Sequence, residues 1–582
     1  MKKIIVSLVA LVVALGASAD AAMDLTSSIT SLGFPSMELG MVSSDLGSYT
    51  NLPYARNVWD LKVFEGRLYA GSGNSGNSPS PNPNAGPVYI MSYDFLTQKW
   101  VNELATDRMQ QIDIFRILDD GNLYIPGHDL RAKYSCLYVR NKNATGSSPW
   151  RYYQLADDAS SHAYDVTMFD DRIVACGYKI WLSTNETPAN VSTITSSATL
   201  RKFAFFNFAD NLYAPGEVTN GNAVTVAHLA KGSTNFTSSV MTHSAIYPDH
   251  TVQAGDPKMY PQRSVSFNSR VLYIAGFRQN DHQILPTDLY TATDGESTFT
   301  ASRVSLASGA VPWDLEVING AVYLLWTTAN GDKFNNHISV STDGETFSEL
   351  FCFTTDTFAR SFDYHDGNFY FGLGTENADI FNPRNGKNDA LIHADSGKVL
   401  SVPYDLTPTA KPVIDDVVVS DVWTNTLTVA VRGSGLKTGS ISVTLTDSQN
   451  QSTAAQIISS FGGSCTFTSL TPGETYTVVV SATNDNGTTT DDSVSVKTYG
   501  CTTVAPRANY DDSSNTLTFT CDNIDRSAYC TVYEVGAGSG SVWAASIKTT
   551  LAQVVFDSSF GAAKPTSLAS WFDGCKALVS IT

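Results

Sequence analysis

Charge is scarce in this chain: Asp, Glu, Lys and Arg make up 16% of its 582 residues. The shortage falls hardest on cations, with 37 Lys and Arg against 56 Asp and Glu and a net charge of −19. No Lys/Arg-rich run offsets that balance locally. A nucleic-acid partner is thereby excluded, because phosphate binding needs clustered cations. Long apolar runs are also missing beyond the N-terminus, so no spanning helix is expected in the mature chain. Several chemical signatures are absent as well: C-x-x-C, zinc-type His/Cys spacing, a P-loop, G-x-S-x-G and H-E-x-x-H. His128, His162, His282 and His337 are scattered without metal-like spacing. No cofactor and no metal are expected.

What is present begins with Met1-Lys2-Lys3, a short apolar core and Ala17-Ser18-Ala19. This is the pattern of a secretory signal with an A-x-A cleavage site, too short to span a bilayer. A secreted or cell-surface location follows for the remainder, read as a monomer. Of 8 Cys, Cys136, Cys176 and Cys352 fall in the first two thirds. Cys465, Cys501, Cys521, Cys530 and Cys575 crowd the rest. Export permits disulfides there, with a pairing that spacing does not give.

The chain repeats itself about every 50 residues. An alternating apolar run meets a polar turn, and a branched residue and Tyr follow. The turn-strand cores are Glu65-Gly66-Arg67-Leu68-Tyr69, Asp120-Gly121-Asn122-Leu123-Tyr124 and Asp170-Asp171-Arg172-Ile173-Val174. Ala209-Asp210-Asn211-Leu212-Tyr213 and Ser269-Arg270-Val271-Leu272-Tyr273 come next, then Asn319-Gly320-Ala321-Val322-Tyr323 and Asp366-Gly367-Asn368-Phe369-Tyr370. Each repeat holds two further strands. The third of blade seven is expected at Ala390-Leu391-Ile392-His393, and the fourth strands open at Trp100, Trp150, Phe236, Phe299, Phe347 and Val399. Four short strands repeated seven times predict an all-β, seven-bladed β-propeller over 56–406. Residues 1–19 form the signal and 20–55 a lead-in that either closes the ring or stays outside it. A Pro-punctuated linker spans 407–411, a β-sandwich 412–498, and a small β-rich segment 499–582.

Three stretches resemble known families. Thr293-Asp294-Gly295-Glu296-Ser297-Thr298-Phe299 and Ser341-Thr342-Asp343-Gly344-Glu345-Thr346-Phe347 resemble the Asp-box hairpin of sialidase-like propellers, a structural turn. Leu470-Thr471-Pro472-Gly473-Glu474-Thr475-Tyr476 resembles the tyrosine corner of fibronectin type III domains, which implies a spacer domain. Trp571-Phe572-Asp573-Gly574-Cys575 through Ile581 is similar to the opening of a BspA-like leucine-rich surface repeat. A lone repeat of that kind cannot bury its own apolar face, so an incomplete domain is expected at this end.

The candidate site lies where the first strands begin. Nine or ten residues before each repeat Tyr stand Trp59-Asp60, Tyr164-Asp165, Trp313-Asp314, Arg263 and Arg360, with Arg116 one step further in. Aromatics, carboxylates and guanidiniums at one mouth form a plausible ligand floor. The bland reading is that the aromatic-Asp pairs pack and cap between blades. Three Asp could also hold a cation, but their blades are one, three and six, which are not neighbours. Second-to-third strand connections are expected to be long at 72–87, 217–223, 277–287, 327–336 and 375–389, and nearly absent in blade three at Gly177-Tyr178. Long loops on a rigid scaffold are where binding is built. The favoured reading is a glycan- or surface-polymer-binding protein. The other is a glycosidase, but the sialidase resemblance implies an Arg-Ile-Pro that only Arg116-Ile117-Leu118 approaches. Glu residues are few in the first strands, and Glu316 is the main candidate for an acid pair.

Overall fold

A computed structural model describes residues 22–35, 58–73, 88–106, 109–130, 135–144, 149–155, 162–183, 191–194, 201–219, 223–250, 259–279, 283–295, 298–374, 395–437, 439–535, 545–564, 568 and 570–582. The architecture is all-β. Seven sheets, each built on four antiparallel strands and one of them carrying a fifth, form the blades of a propeller. Blade one is Leu61–Phe64, Arg67–Ala70, Val88–Asp94 and Lys99–Thr106; blade three is Ala163–Phe169, Arg172–Gly177, Ile180–Ser183 and Val191–Ile194. Blade two is built the same way on a short inner strand, Arg116–Ile117, and blade four on Phe206–Asn207. The inner hairpins close on two residues with left-handed backbones, such as Glu65 (φ 48°) with Gly66 (φ 66°) and Asn319 (φ 50°) with Gly320 (φ 76°). That geometry matches the twist of the strands, which is why Asn, Asp and Gly recur there. Between blades lie shared apolar layers, for example Phe206, Tyr213, Tyr273 and Tyr290 between blades four and five.

Blade seven departs from the expected strand assignment. Its first two strands are Ala359–His365 and Asn368–Leu373, but Val399–Pro403 is its third strand, not its fourth. The expected third strand at 390–393 lies outside the described residues. The outermost strand is Thr30–Gly33, antiparallel to Val399–Pro403. Trp100 of blade one donates its indole N–H to Leu32 O at 2.8 Å and holds this strand in place. Met23–Asp24 adds a parallel fifth strand to blade six. The lead-in therefore closes the ring.

Three of the expected long loops are largely strand. In blade six Thr327 pairs with Asn336 and Asn330 with Lys333, so the connection is a two-residue hairpin at 331–332. In blade four Thr219 pairs with Ala223, and in blade five Gln279 pairs with Gln283. These blades rise as ribbons on the face where the inner strands begin. Most of 72–87, and all of 375–389, lies outside the described residues.

Residues 413–497 form a sandwich of a three-stranded and a four-stranded sheet around Leu427, Val429, Ile441, Val443 and Val478. The Tyr476 hydroxyl accepts from Thr471 N at 2.9 Å and ties the corner to the strand. The sandwich sits against the propeller. Arg432 donates to Asp94 at 2.6 Å and to Asp416 at 3.0 Å, and its stem lies over the blade-one hairpin at Gly66. Asn484 and Asn486 bond Ala410 O and Pro408 O in the linker. The last unit is a five-stranded sheet whose final strands, Gln553–Phe556 and Ser580–Ile581, run parallel. Trp571 is buried there against Phe519 at 5.1 Å, so this end has a core, against the expectation of an unburied face. All eight cysteines are free thiols.

Candidate functional site

The inner strands do bring the candidate residues to one channel, and there the carboxylates act on backbone. Asp60 of blade one accepts from Phe115 N of blade two at 2.6 Å. Asp165 of blade three accepts from Phe205 N of blade four at 3.0 Å, and Asp314 of blade six from Phe362 N of blade seven at 3.1 Å. Asp363 completes the set from blade seven to Val63 N of blade one at 2.6 Å. Each carboxylate hooks the next blade's inner strand, whose amides have no ladder partner on the channel side. A buried carboxylate needs such donors. Ser361, in the same register, donates to Val58 O at 2.8 Å and makes the same junction with reversed polarity.

Cations bolt the channel across. Arg263 of blade five lies 3.7 Å from Asp60 and 3.5 Å from Asp314, and donates to Trp59 O. Arg116 of blade two grips Asp165 with two bonds, at 2.9 and 3.2 Å, and reaches Ser264 O at 3.0 Å. Lys62 pairs with Glu316 at 2.5 Å. Blade five's turn is Asn268-Ser269, not Ser269-Arg270, so Arg263 pairs with Ile274 and occupies the register that Asp314 holds against Leu325. A guanidinium standing where blades one, three and six place Asp offsets part of the ring's negative charge. Acid still exceeds base, and burial together with Asp60 pushes Asp314 up to about 7. Oxygens of Asp60, Asp314 and Glu316 lie within 4.8 Å of one another, but Arg263 and Lys62 already supply the positive charge that an ion would bring.

On the ribbon side of the channel, Arg360 lies over Trp59 at 4.0 Å and Trp313 at 5.4 Å. Burial draws its guanidinium down to about 9. Trp59 is buried with its indole N–H on Gly73 O at 2.8 Å, and Trp313 stacks on Phe358 at 4.2 Å. Tyr164 is buried against Phe203 at 4.3 Å. Trp59 and Tyr164 are thus wedges between blades rather than open stacking faces, while Trp313 is half-buried. On the opposite side, a cavity of about 430 Å³ is lined by Arg116, Asp165, Thr167, Asn207, Ser266 and Glu316.

A further cluster falls where blade three lacks a long loop. His162, Tyr178, Arg201 and Phe203 are all half-buried there. His162 lies 5.3 Å from Tyr178 and 5.7 Å from Tyr164. Arg201 covers the Tyr178 ring at 4.9 Å and donates to its hydroxyl at 2.6 Å. Gly177 makes the tight approach possible, since a Cβ on it would stand 1.4 Å from His162 O. Sequence spacing registered only the short connection at this place, and that brevity is the signal that locates the shelf.

No protein-family model matches the chain, and no curated protein matches it. Solved structures do. The β-propeller domain of the Trilobed protease from Pyrococcus furiosus is 11% identical, over 55% of this chain and 90% of that one, with a TM-score of 0.33. The Nup133 β-propeller domain of Vanderwaltozyma polyspora is 9% identical, over 59% of this chain and 99% of its own, at 0.27. The NanB sialidase from Streptococcus pneumoniae is 8% identical, over 59% and 68%, at 0.30. The chain's own sheet order defines it as a seven-bladed propeller carrying a β-sandwich.

Proposed function

We propose that this is an exported, non-catalytic binding protein whose propeller takes a neutral or weakly charged glycan at the blade-three shelf. The observation that carries the reading is the half-exposed ring group of His162, Tyr178 and Phe203 with the Arg201 fork, beside blade four, which rises as a ribbon. Flat aromatic faces suit the apolar sides of pyranose rings, and guanidinium and imidazole N–H groups suit their hydroxyls. A net charge of −19 disfavours acidic polymers and leaves neutral ones. The N-terminal signal pattern supports export to where such polymers are met, and the fibronectin-like sandwich with its surface-repeat-like end fits a cell-surface architecture. Hydrolysis finds less support. Asp60, Asp165, Asp314 and Glu316 are each tied to a backbone amide or a cation, whereas a glycosidase needs one acid and one base facing the substrate. A glycan array tests the reading. The parent protein should bind, and Tyr178→Ala should lose at least about tenfold in affinity while circular dichroism shows that it stays folded. Equal binding by the variant, or no glycan retained by the parent, would sink it.

A further inference from the structure

Blade six carries donors of a kind absent from the channel. Its third and fourth strands, Lys333–Ser341 and Ser348–Thr355, and the added Met23–Asp24 place His337, Cys352 and Asp24 side by side, His337 paired to Cys352 and Cys352 to Asp24. Paired residues share a face of the sheet, so the three stand in a row. Glu349 belongs by simple alternation to the other face. A register break between Ile338↔Phe351 and Ser339↔Glu349 leaves Leu350 as an extra residue and turns Glu349 onto the face of Cys352. One ligand atom each from His337, Glu349 and Cys352 falls within 4.8 Å of the others.

The imidazole is held for such a role. Nδ1 meets Glu349 Oε1 at 2.6 Å, while Nε2 lies 3.3 Å from Thr328 Oγ1, which can accept its proton. Trp326 stacks on the ring at 3.9 Å and 7°, fixing its plane. An outer hydroxyl on one ring nitrogen and an inner donor set at the other is the arrangement that orients metal-binding histidines. The charge balance differs from that of the channel triad, where Arg263 and Lys62 neutralise the acids. Among the described residues, no Lys or Arg forms an ion pair with Glu349 or Asp24.

We propose that His337, Glu349 and Cys352 form a site for a zinc-class divalent ion. Imidazole, carboxylate and thiolate are zinc's ordinary donors, at about 2.0–2.3 Å, which sets them roughly 3.2–3.8 Å from one another. The three donors already lie within 4.8 Å of one another, and Glu349 Oε1 must draw back from its 2.6 Å contact with Nδ1 to admit the ion. Glu349 is exposed, so the ion has a path in. Binding forms a metal–sulfur bond, and the Cys352 thiol proton passes to solvent, so uptake weakens as pH falls. The ion would sit beside the strand that precedes ring closure and tie it to blade six.

Cobalt(II) titration of the full mature chain tests this through the thiolate-to-cobalt absorption band. One equivalent should produce the band, and zinc should displace it. Cys352→Ser, a near-isosteric change, should abolish the band despite seven remaining thiols. His337→Gln and Glu349→Gln should each weaken uptake by more than about tenfold. Circular dichroism confirms that each variant is folded. No band in the parent, a band that survives Cys352→Ser, or affinity unchanged in both other variants overturns the site.

Discussion

Asp314 shows at the residue scale how a side chain can fasten a fold and strain it at once. Its carboxylate holds Phe362 N and Leu315 N, yet burial and Asp60 raise its proton affinity so that it titrates near 7. An unfolded Asp loses its proton near pH ~3.9. Below that, both states are protonated and the ionisation penalty is absent. From about pH 4 to 7 the unfolded chain ionises first, so stability falls as pH rises, and above 7 the loss is complete. Asp314→Asn keeps an acceptor and removes the titration. Its stability relative to the parent should rise by on the order of 1–3 kcal/mol between pH 4 and 8, read by denaturant melts. A pH-independent difference would show that Asp314 is ionised throughout. The convergence of Asp60, Asp165 and Asp314 was legible because all three sit at one offset from the repeat Tyr. Arg263 in their register was not, because Asn268 and Ser269 lack the Gly that marks the turns of blades one, two, six and seven. Nor was the His337–Glu349–Cys352 group, which depends on a bulge that leaves no sequence spacing.

At the scale of elements, the ring depends on Thr30–Gly33, a short strand far in sequence from its partner Val399–Pro403. Nothing in residues 22–35 announces this pairing, since four edge residues with little apolar content resemble any polar segment. The inner hairpins were legible for the opposite reason: two-residue turns with left-handed backbones select Asn, Asp and Gly locally. A mature chain beginning at residue 36 should leave Val399–Pro403 as an open edge and the Trp100 indole without Leu32 O. The expected loss is about 3 kcal/mol or more, seen as a lower melting temperature with concentration-dependent light scattering from edge pairing. An unchanged melting curve would mean that blade seven closes without this strand. The expected loop of blade six was misplaced because the Thr, Asn and Gly at the exposed end of its ribbon read as turn residues.

For the whole molecule, Arg432 joins sandwich and propeller. Among the described residues, removing its side chain leaves Arg67, 3.7 Å away, as the one cation beside the buried Asp94, whose other acceptor oxygen is held by Leu96 N and Thr97 N. Arg432→Ala should cost about 3–5 kcal/mol, as breaking a buried pair does, and should split a coupled calorimetric unfolding into separate propeller and sandwich transitions. A single transition merely shifted in temperature would place the coupling elsewhere. The larger claim is that the channel is a bolted structural ring and that function lies on the ribbon face. Its most direct test is the release of new reducing ends from the glycans that the protein retains. The account predicts retention without release, in the parent and in Glu316→Gln alike. Steady release by the parent that Glu316→Gln abolishes would contradict it and make the channel an active site.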